Sequence, residues 1–273
     1  MLEMRRLRLA AAAVLLGGML LAGCGNGARL RQQSESGTPQ PHHAAPLAIP
    51  PHSLVRRSCR AEAAVEPTPT RSFAALVRKD AGIRSAPEDG RILVRVGRID
   101  QNGYPTVLGI VGGRTTAGTC RPDALEVQLP VPPNGRTGWI SAGAVRVFRV
   151  SDRIMVDLSE RRLVAYRNGK EALHVRVAVG APSTPTPFGR YVVDERWLLE
   201  NPNGPFGVAA LGISAHSNVL HDWMEGGPIA LHGTNEPAAI GQAVSHGCIR
   251  LTNANMRRLL PLAPAGTPVT IRR

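Results

Sequence analysis

The run Ser245-His246-Gly247-Cys248-Ile249-Arg250 holds the residues of this chain best suited to do chemistry. A second His-Gly pair, His232-Gly233, stands sixteen residues before the cysteine and directly follows the apolar run Ile229-Ala230-Leu231. A thiol beside histidine and glycine, with another histidine that a loop can bring back to it, is what thiolate catalysis needs. A cysteine at its free pKa of about 8.5 is only about 3% thiolate at pH 7. An imidazole that takes the proton raises that fraction, and a downward shift of about two units corresponds to roughly 2.7 kcal/mol. Cys248 is therefore the expected nucleophile. His232 is the expected base, because the apolar strand before it can fix its position. The Gly233 carbonyl is expected to hold the imidazole N–H, completing a triad without a carboxylate. Backbone N–H groups around Gly247 and Cys248 are the expected oxyanion donors, and losing such a donor typically costs about 10²–10³ in rate. His246 reads as a positioning group for the thiol, the oxyanion or the substrate. Arg250 reads as a carboxylate partner or a structural charge, and Ser245 as structural.

The elements that must position these residues are mostly strands. Ile154-Met155-Val156-Asp157-Leu158 and Arg162-Leu163-Val164-Ala165-Tyr166 read as strands, and Asn168-Gly169 is a hairpin turn signal. Residues 173–179 alternate as a half-buried strand should. Further strands are expected near 189–194, 207–213 and 228–232, with a last one at 266–271. The clearest helix signal is Thr252 or Asn253 as N-cap before Met256-Arg257-Arg258-Leu259-Leu260, stopping before Pro261 or Pro264. Before this region, residues 72–150 give short strand-like segments such as 92–96, 125–129 and 145–148. Asn102-Gly103, Gly112-Gly113 and Pro132-Pro133-Asn134-Gly135 break them. The fold class is mainly β, with one or two short helices.

The chain has 273 residues, 43% of them hydrophobic and only 4% aromatic, so aliphatic side chains must fill any core. Its formal net charge is +13, almost all from arginine, since Lys79 and Lys170 are the only lysines. A basic surface fits nucleic acid, an anionic membrane or an anionic polymer, and the N-terminus decides among them. Arg5, Arg6 and Arg8 precede the apolar stretch Leu9 to Ala22, which is short of the about 20 residues of a spanning helix. The stretch ends in Leu21-Ala22-Gly23-Cys24, which resembles a bacterial lipoprotein box. On that reading residues 1–23 are a signal peptide, Cys24 is lipidated, and residues 24–71 are a flexible tether too polar and Pro-rich to bury a core. An export signal with an incidental cysteine, or an uncleaved anchor, is the alternative. The protein is then extracytoplasmic, anchored to the membrane by lipid and facing the anionic cell wall, and nucleic acid is not an expected partner. In an oxidising compartment the two remaining cysteines, Cys59 and Cys120, suggest a disulfide worth about 4 kcal/mol for a loop of about 60 residues; two free thiols are the alternative. No Cys-x-x-Cys pair exists, so neither a thiol zinc site nor a thioredoxin-type dithiol is expected, and the reading calls for no metal or cofactor. His42-His43 reads as solvated tether.

Residues 152–272 resemble the L,D-transpeptidase catalytic domain, the YkuD-type fold. The matching segments are Ile-x-Val-x-Leu at 154–158, Val179-Gly180 leading to Thr184-Pro185-Thr186-Pro187-Phe188-Gly189, Ile229 to Thr234, Ser245 to Leu251, and Gly266-Thr267-Pro268-Val269. Residues 129–140 look like the SH3-like segment that often precedes such an enzyme. The resemblance implies a β-sandwich-like catalytic domain preceded by a small SH3-like β domain, which would bind wall peptide or glycan or simply pack on its neighbour. It implies cleavage of a peptidoglycan stem after its third residue, a diamino acid attacked at its L-centre carbonyl. D-Ala leaves, and the acyl group passes to an amine of another stem, giving 3-3 crosslinks. Donor and acceptor stem peptides are thus the expected partners, and carbapenem-type inhibitors are expected to acylate Cys248. An L,D-carboxypeptidase, with water as acceptor, would use the same residues. A non-catalytic envelope-binding lipoprotein, with His216, His221, His232 and His246 as ligands, is a third reading, though no tight ligand spacing supports it. Otherwise His216 and His221 read as residues of a lid-like stretch at 200–226, and Tyr191, Trp197 and Trp223 as packing or lid residues.

Overall fold

The computed structural model describes residue 68 and residues 70–115, 121–220 and 227–273. The expected signal peptide, the tether up to residue 67, Cys24, Cys59, Cys120, His42, His43, His221 and Trp223 lie outside the described residues.

Seven strands form the first sheet: β1 (Ser72–Val77), β2 (Ala81–Arg84), β3 (Ile92–Val96), β4 (Val107–Thr115), β5 (Pro122–Gln128), β6 (Thr137–Ser141) and β7 (Val145–Val150). Their order is β3-β2-β6-β5-β4-β1-β7, with every neighbour antiparallel. Ile83, Leu125, Val127 and Ile140 are fully buried between its strands. Gly112-Gly113 does not interrupt the chain as its sequence suggests. The pair lies inside β4, where the register against β5 shifts between Ile110 and Gly112. Cross-strand pairing carries the strand through, and the glycines are absorbed as a bulge.

The remaining strands are β8 (Asp152–Asp157), β9 (Arg162–Arg167), β10 (Lys170–Arg176), β11 (Val179–Gly180), β12 (Gly189–Leu198), β13 (Ala209–His216), β14 (Pro228–His232), β15 (Ala243–Ser245), β16 (Ile249–Arg250) and β17 (Pro268–Arg272). Eight of them order as β10-β9-β8-β17-β12-β13-β14-β16, while β11 and β15 pair separately. Strand β12 belongs to both halves of this sheet. Its first residues pair with β17 and its later ones with β13, across a register shift between Val193 and Glu195. A strand that bends in this way folds one sheet over itself. The period-two pattern sends Ile154 and Val156 of β8, and Leu163 and Ala165 of β9, into one core with Leu211, Ile229, Leu231 and Ile249. Helix α1 (Asn253–Leu259) adds Met256 and Leu259 to it. Thr252 is its N-cap, accepting a hydrogen bond from the Asn255 N–H at 3.2 Å.

The two sheets touch along β12 and β13. Gln128 Nε2 donates to the Arg190 carbonyl at 2.9 Å, Asn102 Nδ2 donates to Glu195 Oε1 at 2.9 Å, and the Tyr104 and Trp197 rings meet edge-on at 6.0 Å. Asn134, in the loop before β6, makes the most specific contact. Its amide donates to the His216 carbonyl at 2.7 Å and accepts the His216 N–H at 2.9 Å. One side chain thus satisfies both main-chain groups at the end of β13. Asn134→Ala leaves both without that partner and is expected to cost about 1–3 kcal/mol. Urea unfolding at constant slope measures this, and an unchanged midpoint would remove the clamp from the account.

Candidate active site

Strands β14 and β16 bring the histidine and the cysteine together. They pair in parallel, Leu231 opposite Ile249 and His232 opposite Arg250. Alternation points Ile229, Leu231 and Ile249 into the core, which leaves Ala230, His232, Cys248 and Arg250 on the other face. One step back along both strands, the Ala230 N–H donates to Cys248 Sγ at 3.4 Å. The spacing of sixteen residues is the length of chain that leaves β14, turns through 233–242, runs along β15 and returns to β16.

His232 Nδ1 lies 2.6 Å from the Gly233 carbonyl. A carbonyl can only accept, so Nδ1 carries the proton and Nε2 keeps its lone pair. The imidazole is 3% exposed, and the Phe206 ring stands against it at 4.9 Å, tilted 62°. Burial pulls its pKa down to about 4; the Gly233 carbonyl opposes this and the Arg250 guanidinium adds to it. Burial pushes the half-buried Cys248 thiol up, with the Ala230 N–H and Arg250 pulling back more weakly. Burial therefore works against the thiolate that the sequence suggests and against an imidazolium at His232. The cause is desolvation, which penalises both charged forms.

The turn before the cysteine is held by hydroxyl groups. Ser245 Oγ donates to the Cys248 carbonyl at 2.5 Å and accepts the Gly247 N–H at 3.1 Å. This corrects one expected oxyanion donor. The Gly247 N–H is engaged within the turn, which leaves the Cys248 N–H of the two. Gly247 adopts φ +116°, and a Cβ there would stand 2.8 Å from Ile229 Cδ1, so no other residue fits without displacing the core. Thr184 Oγ1 donates to the Ser245 carbonyl at 2.9 Å. Thr186 Oγ1 donates to the Gly247 carbonyl at 2.8 Å and accepts the Gly180 N–H at 2.8 Å. The Thr-Pro-Thr-Pro run is prominent in the sequence, yet only its position after folding gives it this task.

Arg250 Nη1 donates to Glu236 Oε2 at 3.0 Å, so its carboxylate partner comes from the protein itself. Glu236 carries no sequence signal for this role. His246 is exposed. His216 ends β13, where Asn134 holds its backbone. Tyr191 is buried with its hydroxyl donating to the Phe188 carbonyl at 3.0 Å, and Trp197 packs on Tyr104; both are packing residues. Among the described residues no group of three or more His, Cys, Asp and Glu side chains is placed to hold a metal ion. Among them, too, no helix is long and apolar enough to cross a membrane.

Residues 151–271 match the YkuD family, the L,D-transpeptidase catalytic domain. The YkuD protein of Bacillus licheniformis is 38% identical over 153 residues, a region spanning 54% of this chain and 85% of that protein. The YkuD protein of Bacillus subtilis is 35% identical over 126 residues, covering 46% and 69%. The solved L,D-transpeptidase from Mycobacterium smegmatis shares 15% identity at a TM-score of 0.40, covering 73% of this chain and 99% of that one. With the two YkuD relatives matched over most of their length, this chain belongs to the YkuD family of L,D-transpeptidases.

Proposed function

We propose that the protein is a peptidoglycan L,D-transpeptidase in which Cys248 is the nucleophile and His232 the proton carrier. The observation that carries this reading is one sheet edge with two features. The thiol rests on the Ala230 N–H, and the imidazole, its tautomer set by the Gly233 carbonyl, keeps Nε2 free to accept a proton. Cys248 Sγ attacks the carbonyl of the third stem residue. As the C–S bond forms, the thiol proton passes to His232 Nε2, and the Cys248 N–H faces the developing oxyanion. Collapse breaks the C–N bond, and the departing D-Ala amine takes the proton from the imidazolium. An acceptor amine then attacks the thioester and gives its proton to His232; the C–S bond breaks, and the sulfur recovers the proton. One amide is exchanged for another, with no oxidant, metal or net water.

The neutral resting pair suits this sequence of steps, because charge appears only as the bond forms. Ser245, Gly247, Thr184 and Thr186 serve by shaping the turn, and Arg250 by holding positive charge beside both reacting groups. On the lipoprotein reading of residues 1–24 the enzyme stands outside the cytoplasmic membrane, tethered by lipid on Cys24, where its substrate lies. Incubating the protein with tetrapeptide stems, with and without an acceptor stem, tests the reading by mass spectrometry. A crosslinked dimer is the expected product. Tripeptide alone would convert the assignment to L,D-carboxypeptidase, and an untouched tetrapeptide would overturn it.

A further inference from the structure

The His232 imidazole is buried against a residue that the nucleophile motif does not contain. The Phe206 ring lies 4.9 Å from it, yet Phe206 is 50% exposed while His232 is 3% exposed. Phe206 thus meets the buried imidazole with part of its surface and solvent with the rest.

The ring is held there by a built turn. The Gly204 N–H donates to the Asn201 carbonyl at 3.1 Å, and the Gly207 N–H to the Gly204 carbonyl at 3.0 Å. Asn253, at the start of α1, accepts the Val208 N–H at 3.1 Å and donates to the Pro202 carbonyl at 2.9 Å. Gly207 adopts φ +64°, where a Cβ would lie 2.0 Å from Asn253 Oδ1 and 2.6 Å from the Thr234 nitrogen. Asn253 also lies where a Cβ on Gly233 would be, 2.3 Å away. The turn that presents Phe206 is thus packed directly on the His232-Gly233 backbone, and its position relative to the imidazole is set by the fold.

We propose that Phe206 is a positioning residue that closes the solvent side of His232 and biases the acyl-enzyme toward amine transfer over hydrolysis. This rests on the reading of Cys248 and His232 given above. Water that reaches Nε2 in the thioester state can be deprotonated there in place of the acceptor amine, attack the same carbonyl and release the tripeptide as a free acid while Cys248 regains its proton. A wall that keeps water from Nε2 until an acceptor stem arrives suppresses that branch. The same wall accounts for part of the desolvation that keeps the imidazole neutral. Among the described residues the charged group acting on His232 is Arg250, paired with Glu236, and Cys248 shares the same face.

The test compares Phe206→Ala and Phe206→Leu with the wild type by two readouts. The first is direct NMR titration of the His232 ring, which needs no turnover. In Phe206→Ala the titration is expected to rise by at least about one pH unit toward the free value, while Arg250 still holds it below 6.5. In Phe206→Leu, where bulk is kept, it stays near that of the wild type. The second is the ratio of tripeptide to crosslinked dimer at saturating acceptor, expected to rise several-fold in Phe206→Ala and to return in Phe206→Leu. Should the alanine variant not fold, Phe206→Val takes its place, with both readouts moving in the same direction by less. An unmoved titration with an unmoved product ratio overturns the inference. A wild-type protein that forms no thioester with a stem peptide would instead overturn the function on which it rests, and the titration would still report on the wall.

Discussion

Cys248→Ala is expected to lower stem-peptide turnover by at least about 10⁴-fold, since on the proposed mechanism the thiol forms the acyl intermediate. A carbapenem is expected to add mass to the wild-type protein and to leave this variant unmodified. The fold should survive. The thiol is half-buried and accepts the Ala230 N–H at 3.4 Å, a weak bond to sulfur. Losing it costs about 1 kcal/mol, which circular dichroism would record as a shift of a few degrees. The Ser245 bridge to the Cys248 carbonyl and the Gly247 N–H uses only backbone at residue 248, so the turn keeps its shape in the variant. Retained turnover in a folded Cys248→Ala protein would end the nucleophile assignment.

His232→Ala is expected to lose about 10²–10⁴-fold at pH 7, and the pH profiles should differ in form. On the proposed mechanism the working base is the neutral imidazole, whose pKa is pulled down to about 4. Activity should therefore be flat from neutrality down to about pH 5 and fall as the pH drops through 4. An acid limb near 6.5 would contradict the buried, neutral histidine. In the variant only preformed thiolate can react, and burial has pushed the thiol up. Its residual rate should rise about tenfold per pH unit between pH 7 and 9. Stability gives the same sign. The unfolded histidine binds its proton near 6.5 and the folded one near 4, so between these values the unfolded state holds more protons. Stability is on its plateau above about pH 6.5 and declines as the pH falls toward 4, by up to about 3 kcal/mol from this group. Removing the imidazole should flatten that part of the curve, though the Gly233 carbonyl loses its partner and the variant starts from a lower plateau.

The mainly β architecture was legible because it follows from local alternation. The 154–158 and 162–166 patterns coincide with β8 and β9 to within two residues, and Thr252 caps α1 as its side chain suggests. The strand expected from 207 starts instead at Ala209, because residues 201–208 form the turn that carries Phe206. Gly112-Gly113 resembles a break only until β5 pairs across it. Both differences come from partners remote in the chain, which local pattern does not contain.

The sequence by itself determined that a thiol and an imidazole meet, their spacing and the carbonyl that sets the tautomer. A thiol, an imidazole and the neighbouring Gly233 oxygen are covalent neighbours or lie within one strand–loop–strand excursion, so their meeting needs little more than β14 beside β16. Only the tertiary structure decided the state in which they meet. Desolvation sums over atoms from every segment packed on the site, and these include Phe206, itself placed through Asn253 at the start of α1. Burial therefore opposes the thiolate that the motif alone suggested. The Gly247 N–H is taken by Ser245 where the motif alone suggested an oxyanion donor, because the direction of an N–H is set by how its turn is held.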